Sequence, residues 1–349
     1  MTLAALQDQI RVAAERAAPL QVRGGGSKDF YGNEPRGELL DTRSYAGIVD
    51  YEPSELVLTA RGGTALAEVE AIVGAKGQCL PFEPPHFGAA TLGGCVAAGL
   101  SGPRRAAAGA LRDFVLGVKL IDGRGRVLEF GGRVMKNVAG YDVSRLVAGS
   151  LGTLGVIAEA SVKVLPRPPA ERTLRFDMDQ TAALDAMNVW AGEPLPISAT
   201  AWHDGALYVR LAGSPAAVQA ATPRLGGAEV GDSMAFWRAI REQTYAFFAG
   251  DQPLWRIAVP SAAAPLGLAG NQLLEWNGAL RWLRSRASAE EVRAAAKRAG
   301  GHATLFRARD KSAGAFTPLD PVLLRLHRAL KSAFDPAGIL NPGRMYAEF

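Results

Sequence analysis

Apolar residues are interleaved with Asp8, Gln9, Arg11 and Glu15 at helical spacing over residues 3–17, which predicts an amphipathic surface helix that Pro19 terminates. Short apolar runs at 20–22, 39–41 and 56–60 read as strands, with a helix over 64–75, and together they predict a small βαβ-type lobe. Residues 114–122 and 126–130 alternate around Asp122-Gly123-Arg124-Gly125, a hairpin signal. Asp142 is placed to cap a helix over 143–148. A strand over 156–165 ends at Pro166-Arg167-Pro168-Pro169, the sharpest boundary in the chain.

Beyond that boundary the pattern changes. A strand at 174–178 and a helix at 180–191 precede a hairpin over 198–212 that turns at His203-Asp204-Gly205. Helices at 214–222 and 233–248, a strand at 254–259 and a hairpin turning at Asn277-Gly278 follow. A helix at 288–299 and a strand at 303–308 complete the segment. This order predicts helices on one face of an antiparallel sheet. All six tryptophans lie here, and their simplest role is core and rim. The expected division is a first domain over 1–169, an α+β cap over 170–315, and a helix at 321–334 within a tail, 316–349, that returns to the first domain.

Composition narrows the function. The 349 residues are 48% hydrophobic and 21% charged, enough for a sizeable core. A net charge of +5 without a block of like charges gives no nucleic-acid tail. Cys79 and Cys95 have neither CxxC spacing nor histidine neighbours, so free thiols in a reducing compartment are expected. The N-terminal pattern is not that of a signal peptide, and no apolar run has spanning length. The expected location is cytoplasmic, with peripheral attachment to the inner face of a membrane left open.

The chemistry is concentrated in glycine. Arg23-Gly24-Gly25-Gly26-Ser27-Lys28 offers bare amides, a hydroxyl and two cations, a combination suited to a pyrophosphate. It lacks the GxxxxGK[ST] of a P-loop and the GxGxxG of a dinucleotide-binding turn. Residues 84–105 are dominated by small side chains around Ala90-Thr91-Leu92-Gly93-Gly94, so their backbone could approach a flat ring. Thr91 and Ser101 add hydroxyls, and Arg104 or Arg105 could hold negative charge. Gly149-Ser150-Leu151-Gly152-Thr153-Leu154-Gly155-Val156-Ile157 is a third such stretch.

These residues resemble the FAD-binding domain of the vanillyl-alcohol oxidase/p-cresol methylhydroxylase class. That class carries a GGG[ST] loop, a [AT]-T-[LI]-G-G segment and a G-T-L-G-V-I strand entry. PFEPPHFGAATLGG, AAGLSGPRR, LRDFVLG, RVMKNVAGYDVSRL, VKVLPRP and AFDPAGILNPGRMY are similar to the FAD-binding subunits of glycolate oxidases within it. The resemblance is dense over 20–169 and looser over 170–320. It implies an α+β fold, a two-lobed FAD-binding domain with a short antiparallel-sheet cap. It also implies that Arg23, Gly24, Gly25, Gly26, Ser27 and Lys28 cradle the FAD pyrophosphate. Thr91, Gly93 and Gly94 would line the ribityl chain and isoalloxazine, continued by Ala98, Gly99 and Ser101, with Pro85 a further cofactor-binding residue. Gly152, Gly155 and Ile157 would present backbone to the cofactor.

Departures from the class shape the expectation. Covalent members carry histidine just after the glycine loop, where this chain has Ser27 and Lys28, so non-covalent FAD is expected. Related 2-hydroxy-acid dehydrogenases carry a His-rich motif, whereas His86, His203, His302 and His327 stand singly here, which implies no metal site. His86, in the flavin loop, has the best claim among them to touch cofactor or substrate. No catalytic residue is assigned. Tyr141 is a weak candidate near the flavin, and Lys136 and Arg344 are candidates for stabilising reduced flavin. The resemblance implies partnership with a homologous flavoprotein subunit and an iron–sulfur subunit in oxidising glycolate to glyoxylate. Two cysteines cannot hold such a cluster here. A self-sufficient hydroxy-acid dehydrogenase, a scaffold subunit and a reductase of cell-wall precursor synthesis stay open as alternatives.

Overall fold

A computed structural model describes residues 2–132 and 142–349, so Lys136 and Tyr141 lie outside the described residues. The chain divides into two compact units. The first comprises Met1–Leu100, Ala110–Pro166 and Pro318–Phe349, and the second Ser101–Gly109 and Arg167–Thr317.

In the first unit the helix Leu3–Glu15 starts at Thr2, whose hydroxyl accepts from the Ala5 amide. Leu6, Ile10 and Ala13 form its buried face and pack on Leu20, Leu40, Ile121, Val156 and Leu340. A five-stranded antiparallel sheet runs Ile48–Glu52, Val57–Arg61, Val156–Lys163, Val115–Ile121, Val127–Gly131 in spatial order. The expected βαβ lobe is replaced by two separate arrangements. Leu20–Arg23 and Glu38–Asp41 do pair in parallel, but their connection carries the glycine loop rather than a helix. Three consecutive glycines there would weaken any helix. Val57–Arg61 belongs to the larger sheet, beside the strand Ile48–Glu52, whose Asp50 and Glu52 break its apolar pattern in the sequence.

The second unit is built on an eight-stranded sheet whose pairings are all antiparallel. Ala170–Asp177, Ala206–Gly213, Ile197–His203, Asn271–Glu275, Leu280–Arg284, Leu254–Ala258 and His302–Arg307 are consecutive neighbours, with the short Ala228–Glu229 at the other edge. Helices Gln180–Ala191 and Pro215–Leu225 share one apolar cluster, and Ala289–Arg298 a second. Trp237, Trp255, Trp276 and Trp282 are buried in this unit, while Trp190 and Trp202 are partly buried. The helix expected over 233–248 ends at Arg241, because Gln243 adopts a left-handed φ of 53° that an α-helix cannot contain. Residues 101–109, expected in the first domain, group with the second unit. The Trp276 indole donates to the Gly102 carbonyl at 2.9 Å, and the Arg105 guanidinium stacks on the same ring at 4.4 Å.

Candidate active site

The two leading glycine stretches meet within the first unit. A Cβ on Gly24 would collide with the Thr91 hydroxyl, and one on Gly25 would overlap the Ala89 carbonyl oxygen. Gly26 has a φ of 73°, with the Arg23 guanidinium folded against it. Arg23 is held there by Asp29 at 2.7 Å. Lys28 Nζ donates to Ser27 Oγ at 3.3 Å and to the His86 carbonyl at 3.1 Å, and lies 5.5 Å from the Phe87 ring centroid. Pro85 is buried in that same returning loop. His86 Nε2 faces Glu70 at 3.1 Å.

The amides of Gly24, Gly25, Gly26 and Ser27 donate to no group among the described residues. Four neighbouring undonated N–H groups beside Arg23 and Lys28 are a donor set suited to an anion. A pyrophosphate therefore fits this loop.

The second stretch has a different local structure. It opens the helix Leu92–Ala98 rather than forming a loop. Thr91 is its N-cap, accepting from the Gly94 amide at 3.3 Å. The Leu92 amide donates to the Thr64 carbonyl and that of Gly93 to the Gly62 carbonyl, at 2.9 and 2.8 Å. The Leu92, Gly93 and Gly94 amides are thus engaged within the protein, in contrast to those of the first glycine loop. Gly93 is small for a packing reason: a Cβ would lie 3.1 Å from the Ile157 carbonyl oxygen. Gly62, which the sequence reading passed over, meets that same carbonyl oxygen of buried Ile157. A second Gly-Gly pair, Gly62-Gly63, was the available signal.

At the other end of this helix, about 10 Å away, Ala98 is buried and Gly99 closes the last turn with a φ of 63°. Gly99 abuts Gly149, whose amide donates to the Val96 carbonyl at 3.0 Å. Gly152 and Gly155 are also packed on protein. A Cβ on Gly152 would meet Asn341 Nδ2 at 2.8 Å, and one on Gly155 the Ile121 carbonyl oxygen at 2.8 Å. Ser101 belongs to the second unit and is not grouped with these residues.

Arg344, a candidate for stabilising reduced flavin, is engaged with the backbone of the first glycine loop. It is buried and donates to the backbone carbonyls of Asn33, Lys28 and Asp29, the last at 2.8 Å. It thus braces the glycine loop and the chain that follows it. Burial pushes its pKa down to about 10, with Asp29 opposing, so it stays charged at neutral pH. Asn341 is a second tail residue missed in the sequence: its Oδ1 accepts from the Val22 amide at 2.8 Å and its Nδ2 donates to the Leu151 carbonyl at 2.6 Å. Burial pushes the Cys95 thiol up to about 12, which suits an inert core thiol.

The histidines are dispersed. His203 packs against Tyr245 and Phe247, His327 against Tyr346 and Phe349, and no metal-binding cluster occurs among the described residues.

Comparison with known proteins places this geometry in a family. Residues 2–131 match the FAD binding domain family, and residues 280–345 match the C-terminal domain of FAD linked oxidases. The chain is 50% identical to glycolate oxidase subunit GlcE of Escherichia coli (strain K12), over 99% of this chain and 97% of that protein. It belongs to the GlcE family of glycolate oxidase subunits. Within the family's wider relatives, glycolate oxidase subunit GlcD of Bacillus subtilis (strain 168) is 30% identical over 54% of this chain and 41% of that one. Among solved structures, substrate-bound p-cresol methylhydroxylase superposes with a TM-score of 0.71 at 15% identity, covering 99% of this chain and 87% of that one. That likeness bears out the expected fold class. The GlcE family is thus an FAD-linked oxidoreductase family on this fold, and no described helix is long and apolar enough to cross a membrane.

Proposed function

We propose that this chain is the FAD-holding subunit of a glycolate oxidase complex, supporting oxidation of glycolate to glyoxylate and passing electrons to a partner subunit. The proposed partners are a homologous flavoprotein subunit and an iron–sulfur subunit. The full-length identity with a glycolate oxidase subunit supports the assignment, and partial identity with GlcD supports a homologous second flavoprotein. The observation that carries the cofactor reading is the set of undonated amides at Gly24–Ser27, pressed against Ala89 and Thr91.

In this reading those amides bind the FAD pyrophosphate, while Arg23 and Lys28 neutralise its charge. Asp29 orients Arg23, and Ser27 with the His86 carbonyl orients Lys28. The helix Leu92–Ala98 supports the loop from below through Thr91. FAD, when bound, supplies a two-electron acceptor for the carbon bearing the substrate hydroxyl. Attachment of FAD is non-covalent.

The deciding measurement is a visible spectrum of the isolated chain before and after acid precipitation, followed by anaerobic glycolate addition to the chain and to the complex. Flavin absorbance that moves to the supernatant, and bleaches only within the complex, is the expected result. A colourless chain would count for a scaffold, and bleaching in isolation for a self-sufficient dehydrogenase.

A further inference from the structure

The helix Pro321–Phe334 is secured on one side and exposes apolar side chains on the other. Asp320 caps it, accepting from the Val322 and Leu323 amides at 2.9 Å each. Lys331 is buried, Phe334 meets Phe130 at 6.2 Å between ring centroids, and His327 meets Tyr346 and Phe349. Away from these contacts Val322, Leu323 and Leu326 are 55%, 44% and 54% exposed. Ala329, Leu330 and Ala333 extend them at i+7, i+8 and i+11 from Val322, making one apolar stripe. Arg325 and Arg328 flank the stripe, and the helix carries no acidic residue. Beside it lies a cavity of about 570 Å³ walled by Arg36, Arg328, Pro336, Pro342 and Glu348, with the paired Lys331 and Asp335 also reaching it. Arg36, Arg325 and Arg328 form no ion pair among the described residues.

We infer that this face is an inter-subunit interface that receives an apolar surface rimmed by carboxylates on the partner flavoprotein. The inference rests on the subunit reading above. Three cations without counter-ions beside an apolar stripe call for an acidic rim on the partner. A second copy of this chain would bring the same cations into one interface. A flat bilayer would leave the cavity unfilled and meet cations along one flank only. A protruding acidic and apolar element matches both the convex stripe and the concave cavity.

The test is co-expression of the chain with the homologous flavoprotein and iron–sulfur subunits, with assembly read as mass in solution. Leu323→Glu/Leu326→Glu and Arg325→Glu/Arg328→Glu are each expected to weaken assembly at least about tenfold while FAD content and Tm of the chain are unchanged. Raised salt is expected to loosen the wild-type complex. Leu323→Gln/Leu326→Gln provides a milder variant if either charged pair disturbs folding. Variants that assemble like wild type would overturn the inference and leave the subunit reading intact. A wild-type homodimer split by the same substitutions, or binding to vesicles containing phosphatidylglycerol that they abolish without affecting the complex, would also overturn it. Failure of the wild-type chain to assemble at all would remove the subunit reading itself.

Discussion

Gly25 lies so close to Ala89 that a side chain on it would occupy the position of the Ala89 carbonyl oxygen. The first glycine loop and the loop leading to Thr91 are therefore one packed unit, and its undonated amides depend on that closeness. Gly25→Ala is expected to push the loops apart, lowering stability by about 2 kcal/mol or more and abolishing flavin retention. Gly231→Ala is the control, since a Cβ there meets nothing. Purification followed by flavin absorbance and thermal melting checks both. A Gly25→Ala protein with full FAD would remove this loop from the pyrophosphate site.

The tail is fastened by an ion pair inside the first unit. Lys331 Nζ lies 2.7 Å from Asp335 Oδ2 and also donates to the Thr153 and Leu340 carbonyls. Asp335 in turn accepts from the Ile339 and Leu340 amides. Burial pushes the Lys331 pKa down, opposed by Asp335. Asp335→Ala strands a buried cation and two amides, so a loss of about 3–5 kcal/mol is expected. The double variant Lys331→Met/Asp335→Ala should recover part of this, because the stranded charge is gone while the two amides still lack an acceptor. Urea denaturation of the four proteins gives the cycle, and equal stability of the single and double variants would refute the account.

Much of this was legible in the sequence, for identifiable reasons. Helix Gln180–Ala191 and the hairpin around Asp122–Gly125 follow local periodicity and turn chemistry, which tertiary contacts reinforce. The Arg23–Lys28 loop was legible as a candidate because three glycines, a hydroxyl and two cations in sequence are not the composition of a core. The helix Leu92–Ala98 was obscured because Gly93 and Gly94, unfavourable in helices, are required there by the closeness of Gly62 and Ile157. Nor could spacing along the chain show that Asn341 and Arg344 return to Val22 and Asp29, since those contacts arise only from long-range closure. Segment 101–109 was misplaced for the same reason: Trp276, far along the chain, holds it.

In the second unit, His203 should make stability depend on pH. Its ring lies between Tyr245 and Phe247, and its buried Nε2 has no partner among the described residues. Burial lowers its pKa below the usual 6.5, with Asn271 and Asp204 opposing. The unfolded chain therefore binds more protons between the folded-state value and 6.5. Stability is fully present above about 6.5 and is lost as pH falls through the folded-state value. His302 is shifted in the same direction, by burial and by Arg256. Melting temperature followed from pH 8 to pH 5 should fall, and His203→Gln should flatten the decline. An unchanged slope in that variant would show that other groups govern it.

Arg344 offers a way to separate bracing of the glycine loop from direct contact with FAD. Its guanidinium fork reaches three carbonyls, those of Asn33, Lys28 and Asp29. Lysine keeps the positive charge but cannot reproduce that planar fork. If Arg344 acted chiefly as a charge near flavin, Arg344→Lys would retain most of the affinity. Bracing predicts the opposite, a loss of about 1.5–3 kcal/mol, seen as FAD binding weakened by about tenfold or more. Because FAD binds only the folded state, the rise in Tm on adding it should shrink in step. Flavin titration and melting with and without FAD give the two quantities. Wild-type affinity in Arg344→Lys, with Arg344→Met alone impaired, would return Arg344 to a purely electrostatic role.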